Sequence, residues 1–195
     1  PLISLNMVGG QDEAVFDGAS FALNPGGKLA LHLPAFDRAI AHVDLERAPE
    51  GWQIVAGDLA PQPNALERDY RALVVGLRDY VAKAGASKVL VEQAEGRDAA
   101  LAATIAGDAL GPENVRQLAV PVGGDLQSTL HGHLAVLGAA VGADSLALPL
   151  RGLMLRALAH AAGEMLLPAQ NKSAAAMGQR AVPGAFNPIQ DLYQT

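Results

Sequence analysis

The sequence predicts an α/β protein in which a doubly wound parallel sheet over residues 60–195 follows a β segment over residues 1–59. Three observations predict this organisation. Short apolar runs separated by turn residues fill the first 46 residues, a stretch rich in Pro and Gly follows, and helical and strand patterns then alternate. We therefore expect two domains with a boundary near residue 60.

Four apolar runs in the first 46 residues predict β-strands: LISLNMV, AVFDGASFAL, KLALHL and RAIAHVDLE. Turn residues punctuate these runs at Gly9-Gly10, at Asn24-Pro25-Gly26-Gly27 and at Pro34. The stretch APEGWQIVAGDLAPQPN, residues 48–64, is rich in Pro and Gly and predicts a linker.

The apolar period changes to that of a helix after Asn64. Asn64 and Glu67 resemble a capping box, and Gly85 supplies a stop signal. The apolar side chains between them share one helical face: Leu66, Tyr70, Leu73, Leu77, Tyr80, Val81 and Ala84. These signals predict a long amphipathic helix.

Strands and helices then alternate, as in a parallel sheet covered by helices. The predicted order is a strand over 88–91, a helix over 98–110 ending at Gly111-Pro112, the strand VRQLAVPV, a helix carrying Leu130, Leu134, Leu137 and Val141, and the strand SLALPL. A last helix over about 151–167 ends before Pro168, with Met154, Leu158, Ala161, Ala162 and Met165 on one face.

The composition restricts the partners and the compartment. A net charge of −6 without a basic cluster argues against nucleic acid and anionic membranes, and no apolar run approaches the roughly 18 residues of a membrane helix. The absence of cysteine excludes disulfides and thiolate sites and fits a reducing cytoplasm. Since Pro1 replaces an initiator methionine, we expect processing, trimming or a longer parent polypeptide.

Three stretches resemble one enzyme family in the same order. NMVGGQDEAVFDGASFALNPGGKLA resembles the late strands of the nitrilase-like glutaminase domain of glutamine-dependent NAD synthetase. YRALVVGLRDYVAKAGASKVLVEQAEGRDAALAATIAGDALGPENVR is similar to the start of its synthetase domain, and NKSAAAMGQRAVPGAFNPIQDLYQT to its active-site tail. The resemblance implies a nitrilase-sandwich remnant over 1–59 and an adenine-nucleotide-hydrolase-like, Rossmann-type sheet over 60–195.

The family reaction is the ATP-dependent amidation of nicotinate adenine dinucleotide to NAD, with ammonia supplied by the glutaminase. The glutaminase Glu, Lys and Cys of the family have no counterpart here, so the resemblance implies no glutaminase activity. The family's ATP loop, S-G-G-x-D-S, aligns with Ala94, Glu95, Gly96, Arg97, Asp98 and Ala99. Both hydroxyls and one glycine are therefore lost, and Glu95 adds a repulsion of about 1 kcal/mol or more toward a polyphosphate.

The tail departs from the family in the same way. The family's T-G-N-K-S-E becomes Ala169-Gln170-Asn171-Lys172-Ser173-Ala174, so alanine replaces a magnesium-binding glutamate, and the lysine of D-L-Y-K-T becomes Gln194. The chain is also roughly thirty residues shorter than the family pattern between Pro121 and Arg151. The resemblance assigns nucleotide contacts to Gly96, Arg97, Asp98, Asn171, Lys172 and Ser173, substrate contact to Asp191, and Mg²⁺ ligation to Asp98.

Scaffold residues such as Leu101, Ile105 and Leu110 persist while reactive positions do not, which predicts a pseudoenzyme without an assigned catalytic residue. One alternative is an active ammonia-using NAD synthetase or related ligase that binds ATP and Mg²⁺; another is a non-catalytic binding or assembly component. Simpler readings also stand: Asp98 complements the helix dipole, and Arg97 pairs with Glu92, Glu95 or solvent.

Two further features have simple interpretations. His131 and His133 point about 200° apart on a helix, which argues against a shared metal ion. The nitrilase-type strands would expose an apolar face in the absence of the other strands of such a sandwich. We therefore predict a homo-oligomer or a missing partner chain.

Overall fold

The structure, a computed structural model, describes residues 1–12, 14–93, 96–120, 125–136, 143–177 and 186–193, with only the backbone described at 126, 127 and 143–148. The chain forms two compact units, Pro1–Tyr80 and Val81–Thr195. The domain boundary expected near residue 60 stays a prediction. None of the helices in the described ranges combines the length and apolar character that a membrane crossing requires.

Seven short strands build the first unit: β1 (Leu2–Ser4), β2 (Val8–Gln11), β3 (Ala14–Asp17), β4 (Phe21–Asn24), β5 (Lys28–His32), β6 (Leu45–Ala48) and β7 (Gly51–Ile54). Strands β1, β4 and β5 form an antiparallel sheet in the order β1-β4-β5, and β2–β3 and β6–β7 are hairpins. The predicted β character of this segment is confirmed.

Two of the four predicted strands are each split, and a third is mostly wrong. LISLNMV is divided between β1 and the first residue of β2. AVFDGASFAL divides into β3 and β4 because Gly18 and Ala19 take positive φ values of 73° and 45°. RAIAHVDLE is extended strand only from Leu45, and Ile40 in its first half is 94% exposed. The predicted linker contains β7, which pairs with β6.

Helix α1 (Ala65–Lys83) confirms the helix predicted after Asn64. Asn64 Oδ1 accepts the Glu67 N–H at 3.0 Å. At the other end, the N–H groups of Gly85 and Ala86 donate to the carbonyls of Ala82 and Val81, both at 3.1 Å. This pair of bonds is a Schellman motif, which ends the helix where Gly85 predicts it.

The second unit contains the parallel sheet: β8 (Val89–Glu92), β9 (Val115–Leu118) and β10 (Met165–Leu167), in the order β10-β8-β9. Four helices accompany it: α2 (Arg97–Leu110), α3 (Asp125–Val136), α4 (Ala143–Ala162) and α5 (Lys172–Ala176). Central β8 is fully buried at Val89, Leu90 and Val91. The predicted α/β fold with a parallel sheet is therefore confirmed.

One predicted element near the end is wrong, and another is wrong only over its last residues. SLALPL, at 145–150, lies inside α4, although its alternating leucines fit a strand equally well. Leu155 and Ala159, four residues apart on one face of α4, are buried in one apolar cluster with Leu90 of β8, so packing against the sheet favours the helix. The helix predicted to reach 167 ends at Ala162, and Met165–Leu167 forms β10 against β8.

The limits of two other elements differ in part from the sequence prediction. The strand predicted from VRQLAVPV ends at Leu118. Helix α3 confirms the helix that carries Leu130 and Leu134, while Leu137 and Val141 lie outside the described residues.

Candidate functional site

The strand order of the second unit creates a topological switch point beside β8. The chain leaves β8 for β9 on one side and returns to β10 on the other. Because both crossovers connect parallel strands, the right-handed rule puts α2 and α4 on opposite faces of the sheet. In such sheets ligands bind in the crevice outside the carboxyl ends of the strands where the order reverses. That crevice lies beyond Glu92 and Leu167.

A hydrogen bond joins the two turns that follow these strand ends. Asn171 Nδ2 donates to Asp98 Oδ2 at 2.7 Å, across 73 positions of sequence. Asp98 lies in the first turn of α2, after β8, and Asn171 precedes α5, after β10. Asn171 is only 2% exposed, whereas Asp98 is half-buried. The structure thus brings together two residues that the sequence assigned to one site.

The β8–α2 turn leaves room at its glycine. Gly96 is the N-cap residue of α2 with φ 135°, and it has no side chain with which to cap the helix. A Cβ built on Gly96 would meet no atom within 4 Å. Arg97 is exposed, and Glu92 pairs with Arg151. Ala94 and Glu95 lie outside the described residues, so the repulsion expected from Glu95 stays a prediction.

The segment after β10 is held by the end of the chain. Lys172 N–H donates to the Leu192 carbonyl at 2.8 Å, and Lys172 Nζ lies 4.7 Å from the centre of the Tyr193 ring. Asn187 Nδ2 donates to the Gln170 carbonyl at 2.7 Å. Asn187 and Tyr193 were not among the residues predicted for the site; their place in the family-like stretch NKSAAAMGQRAVPGAFNPIQDLYQT was the available signal.

Ser173 and Asp191, which the sequence also predicts for the site, differ in their exposure. Ser173 is half-buried in the first turn of α5, next to Ala174, whose N–H donates to Asn171 Oδ1 at 2.8 Å. Asp191 is exposed in the turn before Leu192, and it has no hydrogen-bond or ion-pair partner within the described part of the chain. Gln194 lies outside the described residues.

The side chains described at this crevice fit Mg²⁺ only when a bound nucleotide supplies phosphate oxygens as further ligands. Across the described ranges, no three His, Cys, Asp or Glu side chains form a metal cluster, and His131 and His133 are both exposed. Mg²⁺ in nucleotide sites is commonly held by one or two carboxylates plus substrate phosphates and water. Asp98, in the first turn of α2, is a carboxylate at this crevice that would supply a protein ligand.

Comparisons with known proteins agree on one family. Residues 69–137 match a family model described as NAD synthase. The glutamine-dependent NAD(+) synthetase of Rhodobacter capsulatus is 41% identical over 229 aligned positions, which cover 100% of this chain and 42% of that protein. The corresponding Acinetobacter baylyi enzyme is 28% identical, covering 100% of this chain and 42% of the enzyme. The chain thus spans about two fifths of the length of these relatives.

Solved structures give the same result. Glutamine-dependent NAD+ synthetase from Acinetobacter baumannii in complex with ADP matches with a TM-score of 0.85 and 26% identity, covering 98% of this chain and 43% of that one. An NH3-dependent NAD synthetase from Campylobacter jejuni, in complex with nitrate, supports the fold with a TM-score of 0.56, at 20% identity and coverage of 68% and 70%. This chain is therefore a relative of the glutamine-dependent NAD(+) synthetases, as its motifs predicted.

Proposed function

We propose that this chain is an NAD-synthetase-like protein that binds an adenine nucleotide at the crevice beyond β8 and β10 and is impaired in the amidation step. The observation that carries the proposal is the Asp98–Asn171 hydrogen bond of 2.7 Å between the turns that follow these strands. It joins two residues of separate family motifs at the switch point where α/β sheets bind ligands.

Several features support nucleotide binding. The first turn of α2 has backbone N–H groups without intrahelical partners, and helix N-termini attract phosphate. Gly96 leaves space for close approach, and Lys172 provides an exposed cation in the same motif as Asn171. The A. baumannii relative was solved with ADP. ATP with Mg²⁺ is the ligand we propose.

Other features support the loss of amidation. Ala99, where the family loop has a serine, is 7% exposed, and its methyl group offers no hydrogen bond to a phosphate. Ala174, at the position of the magnesium-binding glutamate, has no side-chain oxygen for a metal ion, and its backbone N–H donates to Asn171 Oδ1. Loss of a metal ligand removes several kcal/mol of charge stabilisation from a phosphoryl or adenylyl transition state. Binding can therefore survive where turnover does not.

Two measurements test the proposal. Calorimetric titration with Mg²⁺-ATP should give saturable binding to this chain and weaker binding to an Asp98→Ala variant. An assay with ATP, Mg²⁺, ammonia and nicotinate adenine dinucleotide should yield no more NAD from this chain than from Asp98→Ala. Absence of ATP binding would remove the nucleotide site, and NAD formation above the variant's background would remove the impairment.

A second candidate is an active ammonia-using NAD synthetase or related ligase. Retention of Asp98, Asn171, Lys172 and Ser173 favours it, because backbone donors can replace the lost hydroxyls at the phosphates. The same assay separates the two candidates. Both would operate in the cytoplasm, where ATP and the dinucleotide substrate are available.

The first unit suggests a further component of the proposed function. Its small antiparallel sheet and hairpins are compatible with a portion of a nitrilase-type sandwich, and exposed apolar side chains line its N-terminal strand. We propose that this face is covered by a second copy of the chain or by a separate partner chain.

A further inference from the structure

Asn171 makes two different hydrogen bonds with one short side chain. Its Oδ1 accepts the Ala174 N–H at 2.8 Å, which caps the N-terminus of α5, and its Nδ2 donates to Asp98 Oδ2 at 2.7 Å. The backbone N–H can only donate, so the amide orientation is fixed with its oxygen toward Ala174 and its nitrogen toward Asp98. The amide is 2% exposed, which excludes bulk water as a competing partner.

This arrangement divides the roles of the two Asp98 oxygens. Oδ2 is held by Asn171, whereas Oδ1 has no hydrogen-bond partner among the described residues. A carboxylate with one oxygen fixed by a buried amide has less rotational freedom to lose when the other oxygen binds a cation. Removal of a group that orients a metal ligand in this way commonly lowers the affinity for the metal by roughly 10–100-fold.

We propose that Asn171 is a positioning residue that orients Asp98 so that Oδ1 binds the divalent cation of a bound nucleotide. This inference rests on the proposed nucleotide site. Asparagine suits both tasks because its amide donates and accepts from a short side chain. Aspartate lacks the donor, and serine can cap α5 while being shorter by the atoms needed to reach Asp98.

The test separates capping from positioning. Asn171→Ser keeps an N-cap oxygen for Ala174 and removes the donor to Asp98. Calorimetry is performed with ATP plus Mg²⁺ and with ATP plus a chelator, on the full chain and on the variant. We expect the affinity for Mg²⁺-ATP to fall about tenfold in Asn171→Ser, while the affinity for metal-free ATP changes less than about twofold.

Asn64→Ser is the matched control, because Asn64 also caps a helix, through the Glu67 N–H at 3.0 Å, and has no carboxylate partner in the described structure. It should leave both affinities unchanged. Equal losses with and without Mg²⁺ would overturn the positioning role and indicate a structural one. An undiminished Mg²⁺ effect in Asn171→Ser would also overturn it, with the nucleotide site intact. No ATP binding by the unsubstituted chain would overturn the proposed function together with this inference.

Discussion

Asp79 explains why two glycines stand together in the β2–β3 hairpin. Its Oδ2 accepts the Gly10 N–H at 2.9 Å, and a Cβ on Gly9 would lie only 2.6 Å from that oxygen. A Cβ on Gly10 would in turn lie 3.5 Å from the Gly76 Cα of α1. The glycine pair therefore lets a carboxylate of α1 approach the hairpin backbone.

Asp79→Ala should destabilise the protein by about 1–2 kcal/mol, because it removes the hydrogen bond from the half-buried Gly10 N–H to a carboxylate. Asp79→Asn keeps an acceptor oxygen, so it should lower the free energy of unfolding by less than half as much as Asp79→Ala does. Urea denaturation of the two variants measures the difference. Equal effects of the two substitutions would contradict the assignment of this stabilisation to the hydrogen bond.

A second residue-scale interaction joins Arg116 and Glu164. The guanidinium donates to Glu164 through Nε at 2.9 Å and Nη2 at 2.6 Å, and the Glu164 side chain is 8% exposed. The hydrogen bond to Glu164 raises the pKa of Arg116. Because the folded pKa is raised, this stabilisation is fully present below the unfolded pKa and is lost only as pH rises through the folded value. It is therefore constant across neutral pH.

Glu164→Gln should lower the melting temperature by a few degrees at neutral pH, because it removes the charge from a two-pronged contact. Glu67→Gln is the control, since Glu67 pairs with Arg71 at 2.8 Å with both side chains more than 40% exposed. Exposed pairs contribute little, so its shift should stay within about 1 °C. Thermal unfolding followed by circular dichroism compares them; a larger effect of Glu67→Gln would contradict this ranking.

At the scale of elements, the place where α4 ends determines which residues form β10, the third strand of the parallel sheet. Gly163 has φ 67°, its N–H donates to the His160 carbonyl at 3.1 Å, and the Glu164 N–H donates to the Ala159 carbonyl at 2.8 Å. This Schellman motif turns the chain out of the helix. Apolar Met165–Leu167 then pairs with β8. In the sequence, Gly163 followed by the polar Glu164 was the signal that could have placed the predicted helix end before residue 163.

Gly163→Ala and Gly107→Ala should have opposite effects on stability. The first puts a Cβ into a left-handed conformation and should cost about 1–2 kcal/mol. The second replaces a glycine inside α2, where a Cβ meets no atom within 4 Å, and should stabilise by about 0.5–1 kcal/mol. Chemical denaturation gives both values. Destabilisation by Gly107→Ala, or neutrality of Gly163→Ala, would contradict these conformational assignments.

At the scale of the whole molecule, the first seven residues carry four apolar side chains that are about half or more exposed: Leu2, Ile3, Leu5 and Met7. Strand β1 among them pairs with β4 along one edge, and its other edge is unpaired within the described residues. An apolar edge strand of this kind is a pairing surface for another chain. This observation supports the predicted oligomer or partner chain.

We expect light scattering at micromolar concentration to give a mass above the 20.1 kDa of one chain. Leu5→Lys should shift the mass toward the monomer, because Leu5 is 83% exposed beside β1. Leu66→Lys, at a leucine of α1 that is 82% exposed, should leave the mass unchanged. A clean monomer that requires no partner chain for solubility would contradict the prediction.

The sequence by itself determined the elements whose signals are local. Helix α1 lies between its Asn64 cap and Gly85 stop, α2 ends at its C-cap Gly111, and the family motifs predict that Asp98 and Asn171 belong to one site. Tertiary structure decided the elements and contacts whose stability depends on partners distant in sequence. Residues 145–150 belong to helix α4, which packs on β8 through Leu155 and Ala159. Met165–Leu167 became strand by pairing with β8, and Asp98 met Asn171 because the sheet order brings two strand ends together. Propensity and period act over a few residues, whereas register and burial are fixed only when the whole sheet forms.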